Sequence, residues 1–304
     1  MTIQDERHGE QDGAGRPVAA GRKNEREELT DRTLEIIARP GASLEGLGQQ
    51  LSFYLRAIAW APRTLRRYPK ELIRLLTEVC FGTGGLAIIG GTLGVMIGMT
   101  LFTGMVVGLQ GYSSLDQLGT AALTGFISAY FNTREVAPIS AGLALSATVG
   151  CGFTAQLGAM RISEEIDALE VMGVPSVPYL VTTRVLAGVA AVIPLYAVGL
   201  LSAYVASRQI TIWVYGQSAG TYDHYFTLFL PPEDVMWSFL KVLIFSVAVI
   251  LTHCYYGYTA RGGPAGVGVA VGRAVRTSIV LIVVIDFFLS LAIWGSTTTV
   301  RIAG

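Results

Sequence analysis

Apolar residues gather in five segments that are each long enough to cross a lipid bilayer, which takes about 20 residues in a helix. The segments cover about residues 81–109, 136–160, 185–207, 239–258 and 277–298. Charged residues are scarce within them, as in transmembrane helices. The pattern therefore predicts an all-α integral membrane protein with five spans.

A sixth apolar segment, residues 117–133, is short and is followed at once by Arg134 and Glu135. If it crosses the bilayer, the basic region near Arg261 lies outside while the basic N-terminal region lies inside. If it only dips into the bilayer and returns, both basic regions are cytoplasmic, as the positive-inside rule prefers. We therefore expect five spans, a cytoplasmic N-terminus, an extracytoplasmic C-terminus and an external loop at 208–234.

A charged island, residues 161–184, separates the second apolar segment from the third. On helical spacing its apolar and acidic residues fall on different faces: Ile162, Ile166 and Leu169 on one, Glu164, Asp167 and Glu170 on another. Gly173 and the prolines after it would end such a helix. The spacing predicts a short helix on the membrane surface that a soluble partner could hold. An ordinary polar loop with a helical turn is the alternative.

The N-terminal part of the chain differs from the rest. Residues 1–43 are polar and rich in Gly, Arg and Glu, which predicts a disordered cytoplasmic tail ahead of a membrane domain at 44–304. At 44–68 apolar residues recur at helical spacing, which predicts a helix lying in the membrane interface. Five residues would then sit among the lipid headgroups: Trp60, Arg63, Arg66, Arg67 and Lys70.

Composition agrees with a membrane protein and excludes several other classes. Only 14% of the 304 residues are charged, against about 25% in ordinary soluble domains. The net charge is zero, which argues against a nucleic-acid partner. Cys80, Cys151 and Cys254 are widely spaced in apolar surroundings, unlike a disulfide framework or a metal site. The common nucleotide-binding and hydrolase motifs are missing, so we expect no enzyme activity, metal or cofactor in this chain.

Four charged residues fall within or beside the apolar segments, where an ionisable group is expensive unless it is paired or faces water. Arg134 and Glu135 would either line a lipid cavity that opens outward or form a pair at headgroup level. Lys241, early in the fourth span, could contact the acidic head of a lipid or extend to the headgroups. We expect Asp286, inside the last span, to bond a neighbouring helix.

Glycines recur at four-residue spacing in the first span, at Gly90, Gly94 and Gly98 and again at Gly104 and Gly108. Without side chains on one face, another backbone can approach closely. The spacing predicts close helix packing, with Gly94 and Gly98 in a structural role.

Several motifs resemble one family. Residues 154–184 read TAQLGAMRISEEIDALEVMGVPSVPYLVTTR; the chain also has GLQGY at 108–112, REVAPI at 134–139, FLKVL at 239–243, YGYTA at 256–260 and Asp286. These motifs cover the chain from about Leu44 onward and resemble the MlaE/YrbE permeases, the membrane subunits of lipid-transporting ABC systems that work with MCE proteins. The likeness is greatest to the actinobacterial branch. Family members commonly read RELGP where this chain has REVAP.

The resemblance implies a five-span permease fold in which residues 161–173 form the coupling helix, seated in a groove of a cytoplasmic ATPase. The implied coupling residues are Arg161, Glu164, Glu165, Asp167, Ala168, Glu170 and Gly173. The implied substrate-binding residues are Arg134, Glu135, Lys241, Leu109 and Tyr112.

The resemblance also implies the partners and the cargo. A second YrbE-type permease subunit would form a heterodimer with this chain, an ATPase dimer would bind ATP and Mg, and MCE proteins would feed lipid from outside the plasma membrane. The cargo would be a fatty acid, mycolic acid or sterol, moved inward. A proton-coupled secondary transporter using Asp286 or Glu135, and a non-transporting scaffold of an envelope complex, are the alternatives.

Overall fold

The computed structural model describes residues 46, 48–81 and 91–295. The chain divides into a unit Met1–Ser52, in which residues 48–52 are helical, and a larger unit Phe53–Gly304. No strand occurs in the described ranges. The tail predicted at 1–43 lies outside them, and so does Gly90.

Among the described residues of the larger unit, five helices are long and apolar enough to cross a membrane. They are α4 (Thr92–Asp116), α5 (Ala121–Ile162), α7 (Val177–Tyr215), α9 (Pro232–Tyr258) and α10 (Gly263–Trp294). The prediction of an all-α membrane protein with five spans is confirmed. Five shorter helices accompany them: α1 (53–59), α2 (Ala61–Arg67), α3 (Pro69–Phe81), α6 (Glu165–Val171) and α8 (Ala219–Leu228).

The sixth apolar segment corrects the sequence-based picture. It was expected to dip into the bilayer and return, but it continues directly into the second span, so that α5 is one helix of 42 residues. Pro138 lacks an N–H and would normally interrupt the helical ladder. Here the turn before it, Asn132–Val136, is wound as a π-helix, which accommodates the proline without ending the helix.

Other predicted boundaries also shift outward. Helix α7 begins at Val177 and ends at Tyr215, where 185–207 was expected, and α10 begins at Gly263 instead of residue 277. The supposed external loop at 208–234 is mostly helical, since it contains the end of α7 and all of α8. Charged residues can end the apolar part of a span without ending the helix, because a helix continues into the interface wherever its backbone stays hydrogen-bonded.

The interfacial helix predicted at 44–68 is divided near Trp60. Pro62 lies in the first turn of α2, and Pro69 is the first residue of α3. Proline has no backbone N–H and is therefore well tolerated in the first turn of a helix but not in its interior. Thr182 Oγ1 in α7 donates a hydrogen bond to the carbonyl oxygen of Ala57 at 2.9 Å. The short helices α1 to α3 are therefore tied to the membrane domain.

Close packing in α4 lies at Gly104 and Gly108, and not at Gly98. A Cβ on Gly104 would stand 2.5 Å from the carbonyl oxygen of Ala203 in α7, whereas a Cβ on Gly98 would meet open space within this chain. Gly98 makes no close approach within this chain because it lies on a different face of α4, whereas Met96 and Thr100 lie with Gly104 on the buried face. Gly94 is half-buried in α4.

On the side predicted to be external, α8 packs against the first part of α5. Gly125 permits the approach, since a Cβ there would collide with the carbonyl oxygen of Tyr222. Arg208 in α7 donates two hydrogen bonds to Asp223 in α8, at 2.7 and 2.8 Å, and they lower the pKa of the Asp223 carboxyl below its usual range. The end of α7, α8 and the start of α5 thus form one layer on this side of the protein.

Candidate functional site

Five charged side chains meet where α5, α9 and α10 pack together. We call Arg134, Glu135, Asp234, Lys241 and Asp286 the ionic cluster. Four of them are the charged residues predicted from the sequence, and the structure brings these four together. Asp234 was expected in an external loop and was not predicted as a site residue; it lies in the first turn of α9.

Lys241 is the centre of the cluster and is 0% exposed. Its ammonium nitrogen lies 2.7 Å from Asp286 Oδ1 and 3.6 Å from Glu135 Oε2, and it donates to Ser290 Oγ at 2.9 Å. The expectation that Asp286 bonds a neighbouring helix is met by this ion pair. Lys241 is enclosed, so the structure contradicts a lysine that extends to the headgroups.

Pro138 explains one further contact of Lys241. In the α-helical pattern the N–H of residue 138 would donate to the carbonyl of Arg134, but proline has no N–H. Lys241 Nζ donates to that carbonyl oxygen at 2.6 Å. The proline in REVAPI therefore leaves a backbone acceptor that a lysine of another helix uses, and a buried acceptor in a membrane needs such a donor.

Arg134 points to Asp234, and its Nε and Nη2 donate to Asp234 Oδ2 at 2.9 and 2.7 Å. Its guanidinium also lies 4.1 Å from the ring centre of Tyr130 and 5.0 Å from that of Trp294. Trp294 Nε1 donates to Asp234 Oδ1 at 2.9 Å. Arg134 and Glu135 are thus satisfied by different partners and do not form the mutual pair considered from sequence.

Glu135 is the most accessible member of the ionic cluster. Its side chain is 35% exposed, whereas those of the other four members are nearly enclosed. Ser290 Oγ donates to Glu135 Oε1 at 2.7 Å, which holds one carboxylate oxygen. A ligand approaching the cluster would therefore reach Glu135 before Lys241 or Asp286.

Leu109 and Tyr112, expected to bind substrate, both contact Tyr215 of α7. Tyr112 stacks on Tyr215 with ring centres 4.1 Å apart, and Tyr215 donates a hydrogen bond to the carbonyl oxygen of Leu109 at 3.2 Å. An open groove of about 410 Å³ runs beside them between α4 and α5. It is lined by Val106, Val107, Gln110, Gly111, Ser114, Ile127 and Phe131.

The only signal of this groove in the sequence is the GLQGY motif, which contains two of its residues, Gln110 and Gly111. Its lining is almost wholly apolar, as an acyl chain requires. Phe131 stands three residues before Arg134 on α5, so the groove ends about one helical turn from the ionic cluster. An apolar groove and a polar end are the two parts that an amphipathic lipid needs.

The second predicted site is the surface helix, which the structure places at Glu165–Val171 where 161–173 was expected. Ser163 and Glu164 form a turn after α5, and Glu164 adopts φ +60°, a left-handed conformation that is costly for a side chain with a Cβ. Gly173, at φ +75°, ends the helix as expected. Ile166 is buried but Ile162 is exposed, because the turn breaks the helical register between them.

The acidic side chains of α6 have partners that the sequence did not reveal. Arg161 Nη1 donates to Asp167 Oδ1 at 2.6 Å. Ser176 Oγ donates to Glu170 Oε1 at 2.5 Å, and Ser163 Oγ donates to Glu165 Oε1 at 2.9 Å. Glu164 is exposed, and its carboxylate makes no such contact within the described ranges. Three of the acidic side chains near or in α6 therefore have partners within this chain, and Glu164 is the one left open to a soluble partner.

Exposed apolar residues at the end of α6 were also missed. Val171 is 89% exposed and Met172 is 68% exposed, and Ala168 is exposed on the preceding turn. Apolar side chains this open on a charged surface segment mark an interaction site when they lie outside the lipid. These apolar residues and the acidic Glu164 are exposed together, so the exposed surface of α6 is partly apolar and partly acidic.

Five long apolar helices, with a mostly buried ionic cluster among three of them, are the features of a multi-pass membrane protein. Residues 83–292 match the family described as Permease MlaE. This is more than half of the chain, and the chain therefore belongs to the MlaE permease family, as its motifs predicted.

Relatives agree with this assignment. The chain is 28% identical over 199 residues to a "Probable ABC transporter permease protein" of Rickettsia bellii, covering 66% of this chain and 77% of that protein. It is 31% identical over 203 residues to "Protein TRIGALACTOSYLDIACYLGLYCEROL 1, chloroplastic" of Arabidopsis thaliana, covering 66% of this chain and 57% of that protein. A probable ABC transporter permease of Synechocystis is 30% identical over 189 residues, covering 62% of this chain and 72% of that protein.

Proposed function

We propose that this chain is the permease half of an ABC transporter that imports hydrophobic lipids of the fatty-acid, mycolic-acid or sterol class through the plasma membrane. The Rickettsia and Synechocystis relatives carry the name of ABC transporter permeases, and the Arabidopsis relative is named after a glycerolipid. The apolar groove between α4 and α5 has the chemistry of a lipid-chain site.

The observation that carries the proposal is the continuity of α5. This one helix contains Arg134 and Glu135 of the ionic cluster and ends at Ile162, three residues before α6 begins. The two sites are about 40 Å apart at 1.5 Å per residue. A force applied to α6 therefore reaches the cluster through a single helix, which is what coupling of ATP hydrolysis to lipid movement requires.

In the proposed cycle, a cytoplasmic ATPase dimer binds ATP and Mg, and it contacts α6 through Val171, Met172 and Glu164. The lipid chain lies in the groove while Glu135 orients its polar head. This chain supplies no catalytic group. The N-terminus is cytoplasmic and the C-terminus is extracytoplasmic, so that α6 faces the ATPase and the ionic cluster lies toward the outer side.

We propose two further partners. The groove is open along one side, and a second YrbE-type permease subunit would close it. MCE proteins would deliver lipid at the outer layer formed by α8. The pairing of two different permeases follows the actinobacterial likeness of the motifs.

The test is a comparison of two matched substitutions at exposed apolar residues. Val171→Asp places a charge in the proposed ATPase contact, whereas Leu118→Asp places one on the turn after α4, at the other membrane face; Leu118 is 75% exposed. Burying an unpaired charge in an interface typically costs about 2 to 5 kcal/mol. Val171→Asp should abolish both ATPase copurification and ATP-dependent lipid uptake, and Leu118→Asp should preserve copurification. Retention of the ATPase by Val171→Asp would refute the coupling role of α6.

A further inference from the structure

A second pocket, distinct from the groove and the ionic cluster, lies between α2 and the residues that follow α6 and begin α7. Its volume is about 230 Å³. One wall comes from α2 and its flanking residues: Trp60, Arg63, Thr64, Arg67 and Tyr68. The other comes from Gly173, Pro175 and Pro178. The pocket therefore contacts the residues just after α6 and also the first turn of α7.

The charged groups in the pocket wall are both cations. Arg63 and Arg67 are four residues apart on α2, so they share one face of the helix. The Arg63 guanidinium lies 5.2 Å from the Trp60 ring centre, and that of Arg67 lies 5.9 Å from the Tyr68 ring centre. Within the described ranges neither arginine has an acidic partner. Two adjacent, unneutralised guanidinium groups favour a phosphate ligand.

Thr64 provides an independent sign of a ligand. It lies between the two arginines in the pocket wall and is only 2% exposed, yet its hydroxyl oxygen has no hydrogen-bond partner among the described residues. A buried hydroxyl without a partner is costly, and such groups usually have a partner. A phosphate oxygen in the pocket would accept the hydrogen bond that Thr64 can donate.

The surroundings indicate a membrane lipid as the source of that phosphate. Helices α1 to α3 expose large apolar side chains at Leu55, Ile58, Leu65 and Ile73. Such helices lie in the interface with their apolar residues in the acyl region and their basic residues among headgroups. Trp60 is a residue type enriched at this depth. A soluble phosphate would gain nothing from this apolar border, whereas a lipid would bury its chains there.

We propose that this pocket binds the phosphate headgroup of an anionic phospholipid of the cytoplasmic leaflet, held by Arg63, Thr64 and Arg67. The site is separate from the transport path. The lipid joins α2 to the Gly173–Pro178 side of the pocket and thus braces the segment that carries α6 against the interfacial helices.

The proposal can be tested on the full chain, purified with the subunits that stay bound to it, by counting retained lipids with native mass spectrometry. The probes are phosphatidylglycerol, phosphatidylcholine with the same acyl chains, and soluble glycerol 3-phosphate. We expect phosphatidylglycerol to be retained in preference to phosphatidylcholine. Arg63→Gln with Arg67→Gln should weaken this retention about tenfold or more, because two charge-assisted hydrogen-bond donors are lost.

The matched control is Arg66→Gln with Lys70→Gln, which removes the same charge from the same surface but outside the pocket wall. It should change retention by no more than about twofold, since surface charges act weakly at a distance in salt. Thr64→Val should weaken retention by about threefold to tenfold, the range for one hydrogen bond of ordinary strength. All variants are compared at equal monodispersity on gel filtration, so that a folding defect is recognised.

Four outcomes would overturn the proposal. Equal losses in the two double variants would mean diffuse attraction to anionic lipid without a site. Equal retention of phosphatidylcholine would remove the charge selectivity. Displacement of the lipid by glycerol 3-phosphate would identify a soluble anion as the ligand. Loss of the lipid when the ATPase subunit binds would assign the pocket to a protein contact.

Discussion

Replacing Lys241 tests whether the ionic cluster holds the fold. Lys241→Met keeps the length of the side chain but removes the cation that lies 2.7 Å from Asp286 and 3.6 Å from Glu135. The gross attraction at 2.7 Å is about 6 kcal/mol with an effective dielectric constant of about 20. Desolvation of the two charges offsets much of this attraction. Removing Lys241, however, leaves the Asp286 carboxylate buried and unpaired, and breaking a buried ion pair in this way typically costs about 3 to 5 kcal/mol.

We therefore expect Lys241→Met to lower the free energy of unfolding, measured by steric trapping in lipid bicelles, by about 3 to 5 kcal/mol. Adding Asp286→Leu removes the stranded carboxylate, and the double variant should recover most of the loss, leaving about 1 to 2 kcal/mol from the unsatisfied Arg134 carbonyl. Lys70→Met, at an exposed position of α3, is the control and should change stability by less than about 0.5 kcal/mol.

Two results would refute this reasoning. If Lys241→Met were as stable as the wild type, the ion pair would contribute nothing to the fold. If the double variant were no more stable than the single one, the cost would come from lost packing and not from the unpaired Asp286. Lipid uptake by a stable double variant would further show that Lys241 supports the fold and does not contact cargo.

Four other predictions follow from the described contacts. Glu135→Gln should reduce lipid uptake while the complex still assembles on gel filtration, because Ser290 can still donate to the amide oxygen; unchanged uptake would remove Glu135 from the lipid site. Glu164→Lys should weaken ATPase copurification more than Asp167→Asn does, because Arg161 already engages Asp167, and the reverse order would contradict this. In a background without the native cysteines, cysteine at Ser114 or Ser218 should react with an impermeant thiol reagent in intact cells and cysteine at Ala265 should not; labelling at Ala265 would invert the proposed orientation. Gly104→Ala should destabilise the protein by about 1 to 3 kcal/mol through overpacking against Ala203, whereas Gly98→Ala should be neutral or slightly stabilising, and equal effects would place the close approach elsewhere.

The number of spans and the end of α6 could be predicted from sequence because they depend on local properties. An apolar run of sufficient length specifies a membrane helix, and Gly173 ends α6 because glycine adopts a positive φ without strain. The continuity of α5 could not be predicted in this way. Hydropathy shows where a segment leaves the lipid. It does not show whether the backbone hydrogen bonds of the helix continue past Arg134 and Pro138.

The ionic cluster could be predicted in part. The cost of a charge inside an apolar segment singled out Lys241 and Asp286, and the cost itself implies a partner. The identity of that partner depends on how the helices pack, because Lys241 and Asp286 are 45 positions apart in the sequence. Asp234 was missed because it stands beside two prolines at the start of α9, where an acidic residue usually serves only the helix terminus.

Helix α5 has a mechanical consequence. Its 42 residues extend about 63 Å at 1.5 Å per residue, roughly twice the thickness of the hydrocarbon core. A rod of that length acts as a lever: a tilt of about 5° displaces one end by about 5 Å relative to the other, close to one helical turn. The π turns at Asn132–Val136 and Ser146–Gly150 are the places where such a lever can bend. The first contains Arg134 and Glu135, so that a change in its winding would reorient both side chains without any unfolding of the bundle.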